Sequence, residues 1–309
     1  MAPLPPPDPR SGAPPLTELA LPGAAGLTLR CLVAGDGPLV VLLHGFPDAP
    51  ESWRFQQPAL AAAGYRVVAP ALRGYGGSGR PAPVAAYAVD RLAADVAALI
   101  GAAGGRAALV AGHDWGGVVA WHLAAHHPAL VERLAVLNAP HPAAFARELR
   151  RPDQMARSLY ALFFQLPWLP EALLRRRDYA LVRRSVARAV HRPGAFTAAD
   201  WASVRTALAA PGALSAALAY YRAMGRSVGR TLLRRGRVRA VAGDPRPIVA
   251  PTLLLWGDRD PFLTTRFTTG LEPWVPRLTV RHLPDAGHWV HWDEADAVTA
   301  ALLAWCAAP

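Results

Sequence analysis

The sequence predicts an α/β fold in which a mostly parallel, twisted sheet is flanked by helices and is interrupted once by an all-helical segment. Short apolar runs of β type alternate with alanine-rich helical stretches up to about residue 140, and strand character is absent from about 142 to 245 and returns afterwards. Such alternation is typical of a parallel sheet with covering helices. At 309 residues the chain is long enough for a large core and a smaller satellite.

The individual elements follow from where the apolar runs lie. Predicted strands cover residues 39–43, 65–69, 107–111 and 134–137, and then residues 251–256 and 277–283. Predicted helices cover 153–165, 171–190, 198–208 and 214–235, and a terminal helix covers about 295–306. We therefore divide the chain into a flexible, proline-rich arm (1–16), an α/β core (17–141 and 246–309) and a helical cap, called here the helical insert (142–245).

The charge of the chain is strongly basic and unevenly distributed. The formal net charge is +11, and all 33 basic residues are arginines. Between Arg147 and Arg239 there are 19 arginines and 5 acidic residues, so this segment carries +14. A basic surface attracts nucleic acid, anionic membranes or carboxylate-bearing substrates, although arginine clusters most often form solvated helix faces. Because no nucleic-acid-binding motif accompanies it, we expect no nucleic acid partner and, at most, weak association with a membrane surface.

Other signals narrow the class of protein further. No run approaches the ~18 to 20 apolar residues that cross a bilayer, and the first residues lack a signal-peptide pattern, so we expect a cytoplasmic protein. Cys31 and Cys306 lie far apart without C-x-x-C spacing, which predicts two reduced thiols. No Cys/His spacing indicates a metal site, and we expect no metal or organic cofactor. The sequence leaves the oligomeric state open between monomer and dimer.

The sharpest local signal surrounds Asp114. An apolar strand from Ala108 meets an apolar helix that continues to Trp121, and Gly112 and Gly116 lie two positions before and after Asp114. This is the pattern of a nucleophile elbow, a strained turn whose small flanking residues let the nucleophile project above the sheet. An isolated aspartate at such a junction would more often be a turn or capping residue. Its interpretation as a nucleophile therefore depends on partners elsewhere in the chain.

One serine offers an alternative nucleophile. The segment Gly225-Arg-Ser-Val-Gly229 matches the G-x-S-x-G motif of serine hydrolases. It lies in the arginine-rich helical insert, however, and no strand precedes it. Ser227 is therefore expected on the surface of a helix and not at an elbow.

Two later segments supply an acid and a base in the chain order nucleophile, acid, histidine. The first strand after the helical insert runs into a loop with two carboxylates, Asp258 and Asp260, of which one can orient a histidine. His288 follows a late strand in a glycine-flanked loop shortly before the final helix. His282, within that strand, and His291, three residues after His288, are the competing bases.

These motifs resemble those of the epoxide hydrolases and haloalkane dehalogenases of the α/β-hydrolase fold. The resemblance covers about residues 25–307 and depends on His44-Gly-Phe-Pro47, Arg73-Gly-Tyr-Gly76, Gly112-His-Asp-Trp-Gly116 and Trp256-Gly-Asp-Arg-Asp260. It implies the α/β-hydrolase fold and a triad of Asp114, Asp260 and His288. Ala71 and Gly79 depart from the family pattern, which usually has aspartate at the first position and commonly at the second.

The resemblance also implies an oxyanion hole and contacts with substrate. Backbone N–H groups of Phe46 and Trp115 would stabilise the oxyanion. Phe46 stands where haloalkane dehalogenases typically carry a polar residue that holds halide, and it therefore favours the epoxide branch. The residues implied as substrate contacts are His44, Pro47, Phe164 and Trp289.

Two tyrosines in the helical insert are the most discriminating part of the resemblance. Tyr160 and Tyr221 match by position the pair that opens the epoxide ring in epoxide hydrolases. Aromatic residues in such helices are often simply core, and we expect that of Tyr75 and Tyr220. A tyrosine hydroxyl, with an ordinary pKa of ~10, stays protonated at neutral pH and can donate to the ring oxygen.

The residue types predict the reaction. A carboxylate that attacks an acyl carbon forms a reactive anhydride, whereas its attack on an sp3 carbon forms an ordinary ester that water can hydrolyse. We therefore expect hydrolysis of a lipophilic epoxide to a vicinal diol, with an ester on Asp114 that is hydrolysed by water activated by His288. The alternatives are a haloalkane dehalogenase with the same three residues, and a non-catalytic binder built on the hydrolase fold.

Overall fold

The computed structural model describes residues 14–235 and 246–308. Its centre is an eight-stranded sheet with the order β1-β2-β4-β3-β5-β6-β7-β8. The strands are β1 Thr17–Pro22, β2 Thr28–Ala34, β3 Leu39–Leu43, β4 Arg66–Pro70, β5 Leu109–His113, β6 Leu134–Leu137, β7 Thr252–Gly257 and β8 Leu278–Leu283. In the order of the sheet, every neighbouring pair from β4 through β3 to β8 is parallel. The predicted fold class, a mostly parallel sheet flanked by helices, is confirmed.

The six predicted strands correspond to β3 through β8, with ends that differ by at most two residues. Two further strands, β1 and β2, were not predicted, and they form an antiparallel hairpin at the edge of the sheet. Five of the six residues of β1 are exposed, so β1 lacks the apolar run that marked the central strands. An edge strand of this kind is paired on one side only and carries a weak hydrophobic pattern.

Helices cover both faces of the sheet and bury alternate residues of each strand. Val41 of β3 and Val110 of β5 pack on one face with α2 (Val89–Ala103) and α3 (Trp115–His126). On the other face, Val40 and Leu42 of β3 pack with α1 (Gln56–Ala62), with the short α10 (Val290–Asp293) and with α11 (Ala295–Ala307). Because successive side chains of a strand point to opposite faces, these fully apolar strands are suited to the centre of the sheet.

Six helices of the helical insert follow β6 and precede β7. They are α4 Pro142–Glu148, α5 Pro152–Arg157, α6 Leu159–Phe163, α7 Leu169–Ala189, α8 Ala198–Ala209 and α9 Ala213–Arg235. The helix predicted over 153–165 is divided at Ser158 into α5 and α6, and α7 departs from helical geometry at residues 176–179. The predicted arm lies largely outside the described residues, as does the end of the insert after residue 235. No helix in the described part of the chain is long and apolar enough to cross a membrane.

The insert is joined to the core by polar contacts close to the carboxyl end of the sheet. The Tyr220 hydroxyl of α9 donates to the Arg73 carbonyl at 2.7 Å, and the Arg73 guanidinium is held by the buried Asp95 carboxylate at 2.6 Å. At the end of α7, the Ala189 carbonyl accepts from the His288 backbone N–H at 3.0 Å. The insert therefore covers the edge of the sheet from which the candidate site residues project.

Candidate active site

Asp114 occupies a strained turn between β5 and α3. Its φ of 50° and ψ of −120° are unusual for a residue other than glycine, and such backbone strain costs on the order of 1–3 kcal/mol. A Cβ atom added to Gly112 would collide with the Gly116 carbonyl, and one added to Gly116 would collide with the Leu43 carbonyl. Glycine is thus required two positions on either side of Asp114, as the elbow pattern predicts.

The two carboxylate oxygens of Asp114 have different surroundings. Oδ1 accepts the Phe46 backbone N–H at 2.8 Å, whereas Oδ2 lies 3.4 Å from Nε2 of His288. Burial favours the neutral acid, but the hydrogen bond and charge of His288, together with the Phe46 N–H, hold the pKa of Asp114 below its ordinary value. Asp114 is therefore a carboxylate at neutral pH, with one oxygen tied to the backbone.

The structure also brings Asp260 and His288 together with Asp114. Asp260 Oδ2 lies 2.6 Å from His288 Nδ1, and Asp260 Oδ1 accepts the backbone N–H groups of Phe262 and Leu263 at 2.7 and 3.0 Å. Burial would lower the pKa of His288, but the charge of Asp260 and the hydrogen bonds to Asp114 and Asp260 raise it to about 10. At neutral pH the resting imidazole is therefore protonated and bridges two carboxylates.

The competing acid and bases lie in other environments. Asp258 pairs with His282 at 2.6 Å, and the side chain of His282 is 41% exposed. His291 is fully buried and packs against Trp53 with ring centroids 4.8 Å apart. Ser227 lies inside α9, so the G-x-S-x-G match is helical and does not form an elbow.

Asn138, which the sequence analysis missed, completes the hydrogen bonds of Asp260. It follows β6 directly, and its Nδ2 donates to Asp260 Oδ2 at 2.8 Å, while its Oδ1 accepts the Gly257 N–H at 2.8 Å. The second bond fixes the orientation of the amide, so that the N–H side faces the carboxylate. Its place in the sequence could have identified it, because Asn138 follows β6 just as Asp114 follows β5. The carboxyl ends of neighbouring parallel strands meet at one edge of the sheet, so the two residues are expected to lie close together.

The two predicted tyrosines approach Asp114 from the insert. Tyr160 of α6 and Tyr221 of α9 have ring centroids 5.9 Å apart, and Tyr221 packs edge-on against Trp115 at 5.1 Å and Phe46 at 5.6 Å. Burial, with the nearby charge of Asp114 as a smaller cause, raises the pKa of both hydroxyls. Both are therefore protonated across the physiological range, as a donor to a developing alkoxide must be.

Tyr75 and Tyr220, which we expected in the core, are both fully buried. Tyr75 packs edge-on against His44 with ring centroids 4.8 Å apart, and Tyr220 donates to the Arg73 carbonyl. Tyr160 and Tyr221 differ from Tyr75 and Tyr220 in that both line the two cavities that Asp114 also lines.

Two cavities, of about 390 and 240 Å³, open onto the site. Both are lined by the same five residues: Asp114, Tyr160, Tyr221, Phe262 and His288. The larger cavity continues between α3 and α9 past Trp121, Phe145 and Met224. The smaller is bounded by Phe163, Leu174, Leu181 and Val182 of the insert. Apolar walls around a few convergent polar groups are typical of small-molecule sites.

Three of the four predicted substrate contacts lie at the smaller cavity, namely Pro47, Phe164 and Trp289. His44 does not. It is fully buried, lines neither of these two cavities, and accepts the Leu72 N–H on Nε2 at 3.0 Å. His44 therefore holds the loop after β3 that presents Phe46, and the structure places its ring against the backbone of Leu72 and away from these two cavities.

The two departures from the family pattern lie in a closed loop. Ala71 is fully buried, and its carbonyl accepts the Ser78 hydroxyl at 2.6 Å. The backbone N–H of Gly79 donates to the Thr28 carbonyl at 2.8 Å. A Cβ at Gly79 would lie only 2.6 Å from Cγ of Leu27, so an aspartate there requires Leu27 to move. Backbone and serine hydrogen bonds therefore hold this loop without an aspartate at either position.

One group among the described residues has the composition of a metal site. Asp48, His113 and His291 are fully buried, and their potential ligand atoms lie within 4.8 Å of one another. Burial, together with its neighbours His113, Arg54 and His288, lowers the pKa of His291 well below its ordinary value. The guanidinium of Arg54 and the protonated His288 oppose a further cation, and we assign no metal to this cluster.

The fold and the elbow define the class of protein, and comparison with known proteins agrees. The α/β hydrolase fold family matches residues 38–295. The chain is 38% identical over 281 residues to the AB hydrolase superfamily protein YfhM of Bacillus subtilis, covering 90% of this chain and 94% of that protein. The chain belongs to the α/β hydrolase fold family.

Two further similarities identify the branch of the family. Epoxide hydrolase 4 of Homo sapiens is 34% identical over 284 residues, which cover 89% of this chain and 74% of that protein. The crystal structure of an epoxide hydrolase of Bacillus megaterium superposes with a TM-score of 0.84 at 27% identity, over 93% of this chain and 99% of that one. The resemblance to the epoxide hydrolases that the motifs indicated is thereby confirmed.

Proposed function

We propose that the protein hydrolyses a lipophilic epoxide to a vicinal diol through a covalent ester of Asp114. The observation that carries the proposal is the arrangement of an ionised carboxylate and two protonated tyrosines around the same two cavities. Asp114 supplies the nucleophile, and Tyr160 and Tyr221 supply hydrogen bonds to the ring oxygen. The epoxide and water are the only reactants that this chemistry needs.

In the first step, Asp114 Oδ2 attacks a ring carbon while the C–O bond to the ring oxygen breaks. Oδ2 is the attacking oxygen, because Oδ1 is held by the Phe46 N–H at 2.8 Å whereas the His288 imidazole lies farther from Oδ2, at 3.4 Å. The leaving oxygen takes a proton from Tyr160 or Tyr221 as negative charge develops on it. The product is a neutral ester that carries the hydroxyl group of the future diol.

Esterification then converts His288 into a base. The ester no longer carries the negative charge of Asp114, which helps to raise the pKa of His288. The imidazole therefore loses its proton more readily, and this proton restores the tyrosine hydroxyl. Neutral His288, oriented by Asp260 at Nδ1, can now deprotonate water at Nε2.

In the second step, the activated water attacks the ester carbonyl carbon. The carbonyl oxygen is Oδ1, which already accepts the Phe46 N–H and becomes the oxyanion, with the Trp115 N–H as the second donor of the oxyanion hole. The tetrahedral intermediate collapses and the bond between the acyl carbon and Oδ2 breaks. The departing Oδ2 alkoxide takes the hydrogen left on the water-derived hydroxyl, so the diol leaves, Asp114 is again a carboxylate and His288 stays protonated. The water oxygen remains in the Asp114 carboxylate.

The haloalkane dehalogenase alternative uses the same three residues but has no need of tyrosine hydroxyls. Halide is stabilised by weak N–H donors, and the loop position of Phe46 offers a phenyl ring that packs against Tyr221. A binder that performs no catalysis requires neither the strained elbow nor the protonated His288. These features support the epoxide reaction over both alternatives.

Mass spectrometry after many turnovers of a simple aryl epoxide in 18O-labelled water tests the proposal. We expect diol to form and 18O to accumulate in the peptide that contains Asp114, because each cycle exchanges one carboxylate oxygen. Diol formation without label in Asp114 would contradict the ester mechanism. Absence of both diol and label would contradict the function itself, and chlorinated and brominated alkanes would then be tested.

The finer predictions on partners and location belong to the same proposal. The arginine excess of the helical insert supports weak association with an anionic membrane surface and gives no support to nucleic acid recognition. We place the enzyme in the cytoplasm, as a monomer or dimer. Equal turnover of neutral and anionic epoxides at low and high salt would exclude an electrostatic role of the insert in substrate choice.

A further inference from the structure

Exposed apolar side chains are concentrated in one short segment of the insert. Nine large hydrophobic residues are exposed among the described side chains, and five of them lie between residues 155 and 168. These five, called here the apolar patch, are Met155 at 48%, Leu159 at 56%, Leu162 at 63%, Leu166 at 45% and Trp168 at 73% exposure. Exposed apolar side chains that occur singly need no explanation, whereas five within one short segment indicate a contact with a partner.

The apolar patch is supported by a fixed scaffold. Arg222 of α9 donates to the carbonyl groups of Phe164 at 3.0 Å and Leu166 at 2.7 Å. The same guanidinium forms a two-bonded ion pair with the Glu171 carboxylate at 2.7 and 2.9 Å. The turn that exposes Leu166 and Trp168 is therefore held by four hydrogen bonds from one side chain.

Exposed arginines lie on both sides of the apolar patch in the chain. Arg150, Arg151 and Arg157 precede or interrupt it, and the exposed triplet at residues 175–177 follows two turns into α7. The combination of exposed leucine and tryptophan with arginine is typical of surfaces that lie in the interface of an anionic bilayer. Arginines near such a surface strengthen binding through attraction to the anionic headgroups.

The apolar patch and the candidate active site share structural elements. Leu159 and Leu162 of α6 are exposed, whereas Tyr160 of the same helix lines both cavities. Leu181 lines the smaller cavity and is itself 49% exposed. The wall of the smaller cavity therefore reaches the protein surface on the insert, which carries the apolar patch.

We propose that the apolar patch docks the enzyme on anionic lipid bilayers and that lipophilic epoxides enter the smaller cavity directly from the lipid. The docking does not depend on the proposed epoxide reaction, whereas the delivery of substrate rests on it. A lipophilic epoxide partitions into the bilayer, so an enzyme whose apolar patch is embedded there meets the substrate where its concentration is highest.

Flotation of the full chain with vesicles of phosphatidylcholine and phosphatidylglycerol tests the docking. We expect the wild-type protein to float with these vesicles and the double variant Leu162→Ser/Trp168→Ser to bind at least about 10-fold more weakly, since buried hydrocarbon is lost. Val249→Ser is the matched control, because Val249 is also 63% exposed but precedes β7 in the core. This control should float like the wild type.

Several results would overturn the proposal. Equal flotation of the double variant and the wild type would exclude the apolar patch, and equal binding to pure phosphatidylcholine would exclude the anionic requirement. Light scattering that shows a wild-type dimer and a monomeric double variant, with no vesicle binding by either, would assign the patch to self-association.

Activity measurements separate docking from function. On a water-soluble epoxide without vesicles, the double variant and the wild type should turn over equally, whereas on an epoxide dissolved in vesicles the double variant should be several-fold slower. Equal rates on the vesicle-dissolved epoxide would overturn the delivery. Absence of turnover on the soluble epoxide, with intact vesicle binding, would overturn the proposed function and leave the docking standing.

Discussion

The candidate site is assembled from two regions that hold their residues in different ways. The carboxyl edge of the sheet fixes Asp114, Asp260 and His288 by a strained turn and by hydrogen bonds as short as 2.6 Å. The insert holds Tyr160 and Tyr221 by aromatic packing, with ring centroids 5.1 to 5.9 Å from their neighbours. The sheet edge therefore fixes the charged groups by hydrogen bonds, whereas the insert positions the two tyrosine hydroxyl donors by packing of their rings.

This difference separates two kinds of contribution. The charged residues at the sheet edge are coupled electrostatically. Because His288 bridges two carboxylates, the loss of one of these groups changes the protonation of the others. The tyrosines carry protons that burial keeps in place, and in the proposed mechanism they act in the step in which the ring oxygen leaves. Substitutions in the two regions should consequently block different steps of the same cycle.

The largest effect is expected for His288→Gln. Asp114 remains able to attack, but no base activates water, so the ester should accumulate while turnover falls by about 10^3- to 10^4-fold. Intact-protein mass spectrometry should show one added epoxide mass. His282→Gln, at the exposed ion pair with Asp258, serves as the control and should turn over normally. A variant that neither accumulates adduct nor loses turnover would show that His288 is not the base.

A smaller effect, in the other half of the cycle, is expected for Tyr160→Phe and Tyr221→Phe. Each substitution removes one donor to the leaving oxygen and should slow adduct formation by about 10- to 100-fold, and the double variant should be slower still. Rapid-quench measurement of the adduct checks this. Tyr220→Phe is the matched control, because its hydroxyl bonds to the Arg73 carbonyl. Accumulation of ester in the tyrosine variants would contradict the separation between the two regions.

Substitution of Asn138 tests whether its hydrogen bond to Asp260 contributes to catalysis as well as to the structure of the sheet edge. Asn138 has a φ of 40°, which glycine adopts without strain, so Asn138→Gly removes the amide and keeps the backbone. Loss of a hydrogen bond to the Asp260 carboxylate should reduce kcat by about 10-fold and shift the pH dependence of ester hydrolysis, with little change in KM. A change in stability alone, with an unaltered pH profile, would make Asn138 a purely structural residue.

The smallest effect concerns stability at alkaline pH. The pKa of His288 is raised from 6.5 to about 10 in the folded protein, so its ion pairs stabilise the fold fully below pH 6.5. That stabilisation is lost as the pH rises to about 10. The melting temperature of the wild type should therefore approach that of His288→Gln between these pH values. A constant difference between the two would show that the imidazole is neutral in the resting enzyme.

The sheet edge was also easier to predict from the sequence than the insert was. The glycines around Asp114 and the apolar strands are local signals, because steric requirements act within a few residues. The division of the predicted 153–165 helix at Ser158, and the change of direction at residues 176–179, depend on packing against the core and left no such signal. The hairpin of β1 and β2 was missed because its edge strand is exposed.

Roles that depend on contacts distant in the chain were the hardest to foresee. Asn138 bonds to residues about 120 positions away, and a single asparagine after a strand does not reveal such a partner. His44 belongs to a motif that marks the loop after β3, yet only the structure shows that its ring faces the backbone of Leu72. Choosing Asp260 over Asp258 likewise required the positions of both histidines.

The nucleophilic attack proposed for Asp114 has a consequence for the configuration of the product. Displacement at an sp3 carbon proceeds from the side opposite the leaving oxygen, so attack by Oδ2, the oxygen not bound to the Phe46 N–H, would invert the ring carbon. Water would then attack the acyl carbon, so the new C–O bond would survive and no second inversion would occur. A symmetrical cyclic epoxide should therefore yield only the trans diol, and each enantiomer of a chiral epoxide should give a product whose handedness reports which carbon was attacked.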